Sequence, residues 1–292
     1  MQLRHSRFHW GLVTLTYLFC TALISFQSGC GTVTGRSRET TATTMPSTIE
    51  PTATATMVQP TPATLPGWHL VFDDEFNGSS VDTMRWDVEN TLTGEYDNCC
   101  RGFGNQSWLP DNVVESGGQL HIVTKSQQSD GHPYTSGAIT TQNTFQFTYG
   151  RIDVRAKLPR TSGLWPTLWL LDNPNSQGIY AQYYEVDFME AWMGNPHLVH
   201  AFFHYDAVQD TCDATGIDFT DTFHTYTLIW SPGRLQWLID GVTKCVDTQY
   251  APDVPMYLIM CTAIDGVDQS VNNTTRLPQS FDIDYVRIWQ SA

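Results

Sequence analysis

Charge is scarce in this sequence, and positive charge scarcer still. Only 15% of the 292 residues are charged, against about a quarter in ordinary soluble domains. Fifteen Lys and Arg face 30 Asp and Glu, and the formal net charge of −15 repels polyanions, which excludes nucleic acid as a natural partner. There is no Cys-Xaa-Xaa-Cys pair of the kind that builds zinc modules. No internal repeat is present, and no amphipathic helical pattern runs longer than a few turns. Aromatic side chains are plentiful instead, with ten Trp, twelve Tyr and fourteen Phe. Rings that do not fit in a core favour flat, half-apolar partners, and sugar faces qualify.

The first thirty residues read as an address. Arg4 and Arg7 precede an apolar stretch from Trp10 to Phe26, which ends in Gln27-Ser28-Gly29-Cys30. A charged start, a short apolar middle and a small-residue end predict a secretory signal over residues 1–30. The stretch is short and carries three Thr, so it does not suit a permanent membrane span. Small residues before Cys30 resemble a bacterial lipoprotein processing site, although Gln27 stands where such sites usually carry Leu. Lipid on Cys30 and simple cleavage are both open, so the expected location is the cell surface or the medium. Residues 31–67 are rich in Thr, Ser, Pro and Ala and bury too little apolar surface to offset ordering, which predicts a disordered linker. Four of the 15 basic and two of the 30 acidic residues precede Trp68, leaving −17 on residues 68–292.

From Trp68 onward the pattern is that of strands. In Gly150 to Leu158, Ile152, Val154, Ala156 and Leu158 alternate with Arg151, Asp153, Arg155 and Lys157, a period of two with one dry face. Leu235, Trp237 and Ile239 alternate between turn signals at Ser231-Pro232-Gly233 and Asp240-Gly241. Leu120–Thr124, Thr225–Trp230, Met256–Ile264 and Phe281–Trp289 are short and rich in β-branched or aromatic residues. Many short strands without intervening helices predict an all-β fold, a two-sheet antiparallel jelly-roll sandwich with a concave cleft. In an oxidising compartment Cys99 or Cys100 could pair with Cys212 or Cys245, while Cys261, inside an apolar run, reads as a buried thiol.

The candidate chemistry lies in Glu185-Val-Asp-Phe-Met-Glu190. In a regular strand Glu185 and Asp187 share a face, and Glu190, five positions from Glu185, points the other way. One extra residue near Phe188 or Met189 restores the phase, and such bulges are common beside active sites. All three carboxyls then line one face. Retaining glycoside hydrolysis needs two carboxyls about 5–5.5 Å apart, one ionised as nucleophile and one protonated as acid. The charge on the first raises the pKa of the second, and a hydrogen bond from Asp187 can orient Glu185. Three acids in six residues also occur on solvated strands, but here they are interleaved with Val186, Phe188 and Met189 and follow a Trp-containing apolar strand.

Together with six other segments, this hexapeptide resembles glycoside hydrolase family 16, the laminarinase-like retaining enzymes, over nearly all of Trp68–Ala292. The others are Val71-Phe-Asp-Asp-Glu-Phe-Asn-Gly78, Tyr134-Thr-Ser-Gly137, Tyr149-Gly-Arg-Ile-Asp-Val-Arg-Ala-Lys-Leu-Pro159, Gly163-Leu-Trp-Pro-Thr-Leu-Trp169, Phe223-His-Thr-Tyr226 and Asp284-Tyr-Val-Arg287. The resemblance implies Glu185 as nucleophile, Asp187 as its assisting acid and Glu190 as general acid/base, in the bulged branch. It also implies sugar contacts from Trp165, Trp169, His204 and Asn105. Asp265 and the residues Gln106-Ser107-Trp108 depart from the family pattern near Asn105. Catalysis needs no cofactor in this family, but a structural calcium is common, and its ligands would be Glu75, the Gly118 carbonyl and Asp284.

A domain at −17 disfavours sulfated chains, so the expected partner is a neutral β-glucan, cut at internal β-1,3 or mixed β-1,3/1,4 linkages by a monomer. Action on an agarose-like galactan and transglycosylation are the alternatives within the resemblance. A non-catalytic surface lectin is the alternative outside it, and it leaves three gathered acids unexplained.

Overall fold

The computed structural model describes residues 64–93, 104–172, 184–205, 208–266 and 270–292. The expected signal, Cys30, nearly all of the linker, Cys99 and Cys100 lie outside the described residues. Those described form seventeen strands and a single 3-10 turn at Pro110–Asn112. None of them belongs to a helix long and apolar enough to cross a membrane.

The strands fall into two large sheets. The back sheet runs β15 (Val242–Asp247), β14 (Arg234–Ile239), β13 (His224–Ser231), β8 (Gly150–Lys157), β17 (Gln279–Ser291), β5 (Gln119–Thr124) and β4 (Val113–Ser116), and β1 (Trp68–Asp74) also pairs with β17. The front sheet runs β12 (Val208–Thr215), β11 (Leu198–Tyr205), β10 (Tyr184–Glu190), β9 (Leu164–Asp172), β16 (Met256–Ile264), β7 (Ala138–Thr140) and β2 (Asp87–Val88). A short parallel pair, β3 (Gln106–Trp108) and β6 (Tyr134–Ser136), stands apart from both. Every pairing within the two large sheets is antiparallel, and the chain crosses between the sheets repeatedly, as the expected jelly roll requires.

The alternation read from the sequence is the alternation that packs. Ile152, Val154 and Ala156 of β8 are fully buried, while Arg151, Arg155 and Lys157 are half-buried on the outer face. The dry face meets Val186, Val199, Ala201 and Phe203 of the front sheet in one continuous core. Asp240 and Gly241 join β14 to β15 with φ of +51° and +74°, the double left-handed turn that matches strand twist. All nine residues of β16 are buried, because a second apolar cluster of Trp108, Trp169, Tyr257, Ile259 and Cys261 covers its other face. That second layer makes the front sheet apolar on both sides.

Cys212 of β12 is bonded to Cys245 of β15, which corrects the expectation that each would seek Cys99 or Cys100. The two edge strands, one from each sheet, lie side by side, and the bond ties one margin of the sandwich shut. Closing 33 residues of sequence separation costs the unfolded chain entropy worth about 3–4 kcal/mol. The Cys212→Ser/Cys245→Ser variant is therefore expected to unfold at lower urea by that amount. An unchanged midpoint would show that the bond restrains nothing the sheets do not already hold.

Candidate active site

The centre of the front sheet carries the acidic hexapeptide, and the register on both sides shows how its acids are aimed. From Asp187 to Glu190 the strand advances three residues, while β9 advances two, from Trp169 to Thr167, and β11 advances two, from Phe202 to His200. The extra residue is a β-bulge at Phe188–Met189, where the sequence requires one. Both bulge residues turn inward and are buried at 4% and 0% exposure, so the irregularity exposes no apolar surface. Glu185, Asp187 and Glu190 consequently line one cavity of about 270 Å³, together with Trp165, Trp169 and His204.

The three carboxyls sit in unequal surroundings. Glu190 is 6% exposed, and its pKa is pushed up to about 8. Burial is the largest cause, followed by the charge of Asp187, while the indole groups of Trp165 and Trp192 oppose the rise and Glu185 adds a smaller push. Burial therefore raises this acid more than the charge of Glu185, which the sequence had suggested as the cause. Asp187 is driven well above the ordinary carboxylate range by burial, then by Glu185, then by Cys261. A neutral Asp187 has a proton to donate to the neighbouring carboxylate. His204 Nε2 lies 3.3 Å from Asp187 Oδ2 and 3.8 Å from Glu185 Oε1, so the imidazole spans both groups.

Trp165 and Trp169 both face the cavity from β9. Gly266 packs against Trp165, where a Cβ would come within 2.9 Å of the indole Cε3, so only glycine leaves that ring in place. Asn105 stands off the cavity wall. Its side chain is held by Asp265 at 3.3 Å and His132 at 3.3 Å, and Asp265 also accepts from the Val271 N–H at 3.0 Å. The residue that departs from the family pattern thus ties three loops together beside the cleft.

Three contributors escaped the sequence reading. Trp192 lines the cavity two residues beyond Glu190, a spacing that does signal a shared face. Cys261, expected to be merely buried, contacts Thr167 at 3.0 Å, and both line the cavity. Their partnership joins residues 94 apart in sequence, which no local pattern encodes.

The ligand atoms of Glu185, Asp187 and His204 lie within 4.8 Å of one another, a spacing a divalent metal could use. They are the same atoms that the hydrolytic reading employs. The expected calcium ligands do not fit a cation. Both Glu75 oxygens accept from Arg287, at 2.7 and 2.8 Å, and Asp284 Oδ2 accepts from Arg155 at 2.6 Å. Each carboxylate already faces a guanidinium, which supplies the positive charge a calcium ion would bring.

Comparison with known proteins agrees with this geometry. The model for glycosyl hydrolases family 16 matches residues 104–287, and one described as beta-glucan synthesis-associated protein SKN1/KRE6/Sbg1 matches residues 10–186, ending inside the hexapeptide. The chain is 31% identical to a beta-glucanase of Rhodothermus marinus, over 77% of this chain and 86% of the other. It is 30% identical to glucan endo-1,3-beta-glucosidase A1 of Niallia circulans, over 79% of this chain, but spans only 39% of that protein. The laminarinase catalytic domain from Thermotoga maritima superposes with a TM-score of 0.70 at 26% identity, covering 77% of this chain and 99% of the other.

Proposed function

Because the chain belongs to glycosyl hydrolases family 16, we propose that it hydrolyses internal β-1,3 or mixed β-1,3/1,4 linkages of a neutral β-glucan with retention of configuration. The observation that carries this reading is the bulge, which brings Glu190 into the same cavity as Glu185 and Asp187. Glu190, with its pKa at about 8, holds a proton at neutral pH and delivers it to the glycosidic oxygen as the bond breaks. Glu185 attacks the anomeric carbon from the opposite side, forming a glycosyl ester. Asp187 and His204 hold Glu185 in line. Glu190, now ionised, then takes a proton from water, which attacks the same carbon and releases the sugar with its original configuration. Trp165 and Trp169 offer apolar faces on which glucosyl rings can lie.

The secretion signal and Cys30 belong to the same reading, since a polymer too large to enter a cell is cut outside it. Incubation with laminarin, lichenan, agarose and xyloglucan tests the substrate, and proton NMR of the first-formed anomer tests retention. Laminarin or lichenan is expected to yield β-anomers; products from agarose alone would overturn the glucan assignment.

The pH profile provides a separate check. The acid must be protonated in the free enzyme, so its raised pKa keeps activity intact to about pH 8, and kcat/KM is expected to fall tenfold per pH unit beyond that. A basic limb at pH 5 would contradict the assignment of Glu190.

A further inference from the structure

Backbone pairing with β9 does not stop at Glu190. The Ala191 N–H donates to the Pro166 carbonyl at 3.1 Å and the Met193 N–H to the Leu164 carbonyl at 3.0 Å, so the in-and-out alternation continues. Ala191 and Met193 enter the core, at 0% and 4% exposure, and Trp192 stays on the cleft side with Glu190. The Trp192 Nε1 is buried, and the carboxyl it acts on is that of Glu190.

Trp192 in turn rests on a histidine. His200 is the cross-strand neighbour of Glu190 in β11, and its ring centre is 4.5 Å from that of Trp192. The His200 Nδ1 lies 2.7 Å from an oxygen of Asp213, its register partner in β12. A carboxylate accepts, so the imidazole proton sits on Nδ1 and leaves Nε2 a bare lone pair. That nitrogen is buried without a hydrogen-bond partner among the described residues, an arrangement that ordinarily costs about 1–3 kcal/mol. Such a cost is retained where the ring is needed for its shape and fixed orientation.

We propose that Asp213, His200 and Trp192 form a positioning relay for the acid/base Glu190. Asp213 fixes the imidazole, the imidazole seats the indole, and the indole N–H holds the carboxyl in line with the glycosidic oxygen. The relay rests on the reading of Glu190 as acid/base. It reaches from the margin of the front sheet, where Asp213 is 58% exposed, to the buried acid. Asp213 touches no other residue of the cavity wall in the relay, so its effect on catalysis must pass through His200.

That remoteness makes Asp213→Ala the informative variant. On laminarin, whose leaving group is a poorly acidic sugar hydroxyl, kcat is expected to fall roughly 3- to 10-fold with KM within about twofold, because proton transfer is misaligned and binding is not. On an aryl β-glucan oligosaccharide with a strongly acidic phenol, which needs no proton, the loss should stay under about twofold. Asp213→Glu should restore laminarin turnover, and Trp192→Phe should lower it by roughly 10- to 100-fold with the same indifference on the aryl substrate. Equal losses on both substrates, a change confined to KM, or wild-type behaviour in Asp213→Ala and Trp192→Phe would overturn the relay. Glu190→Gln, assayed alongside, separates the two readings. If it loses laminarin turnover while both relay variants keep theirs, only the relay fails; if it turns over normally, the acid/base assignment fails with it.

Discussion

Glu185→Gln is expected to lower kcat on a β-1,3-glucan by roughly 10⁴-fold, about 5 kcal/mol of barrier at 1.36 kcal/mol per decade. The amide has nearly the shape of the carboxylate but no charge with which to attack the anomeric carbon. Binding should survive, because Trp165, Trp169 and the rest of the cavity wall are untouched, so KM is expected to stay within a few-fold. The fold should survive too, since the change removes a charge that presses on buried Asp187. Glu185→Gly carries the decisive chemistry. With an aryl β-glycoside as donor, azide can enter the space left by the carboxylate and attack the anomeric carbon from the nucleophile's side, expelling the phenol and leaving an α-glycosyl azide. Near-normal turnover in Glu185→Gln, or no azide product from Glu185→Gly, would remove the residue from this role.

The second large effect belongs to Glu190. Replacement by Gln is expected to cost roughly 10³-fold on laminarin, within the range usual for a general acid, and far less in the glycosylation of an activated aryl donor. Azide has a different outcome here: the glycosyl ester on Glu185 still forms, azide attacks it from the opposite side, and the product is the β-glycosyl azide. The anomeric form of the azide thus assigns the two carboxylates independently of any rate. Stability adds a signature of its own. The folded-state pKa of Glu190 stands at about 8, above the ordinary 4.5, so the native state binds the extra proton between these values and the wild type loses stability as pH rises through that window. Glu190→Gln has no such loss, and its melting temperature is expected to gain on the wild type from pH 5 to pH 8. A gap that does not widen with pH would mean that the acid is not strained in its site.

The strands were legible because each declares itself locally. Ile152, Val154 and Ala156 announce a dry face without reference to the rest of the chain, and Asp240-Gly241 announces its turn. The catalytic hexapeptide was legible for a related reason: its five-residue spacing conflicts with strand period, and only a bulge reconciles the acids. What could not be read was partnership across distance. Nothing near Cys212 distinguishes Cys245 from Cys99 as its partner; that follows from which edge strands lie together. The capture of Glu75 by Arg287 depends on β1 pairing with β17, more than 200 residues later. The elevation of Glu190 was legible in direction, but its main cause, burial, is a property of the assembled sheet. Trp192 was overlooked although its two-residue offset from Glu190 carried the signal.

The extra residue at Phe188–Met189 has a bearing on how such strands can lengthen and shorten over generations. Loss of one residue there would place the two outer acids four apart, still on the same side of a regular strand, with both neighbours needing no shift. Elsewhere in β10 a single-codon deletion would invert everything beyond it. This spot is therefore where the strand tolerates an indel without scrambling its reactive groups, so chains with and without the additional residue can share one chemistry.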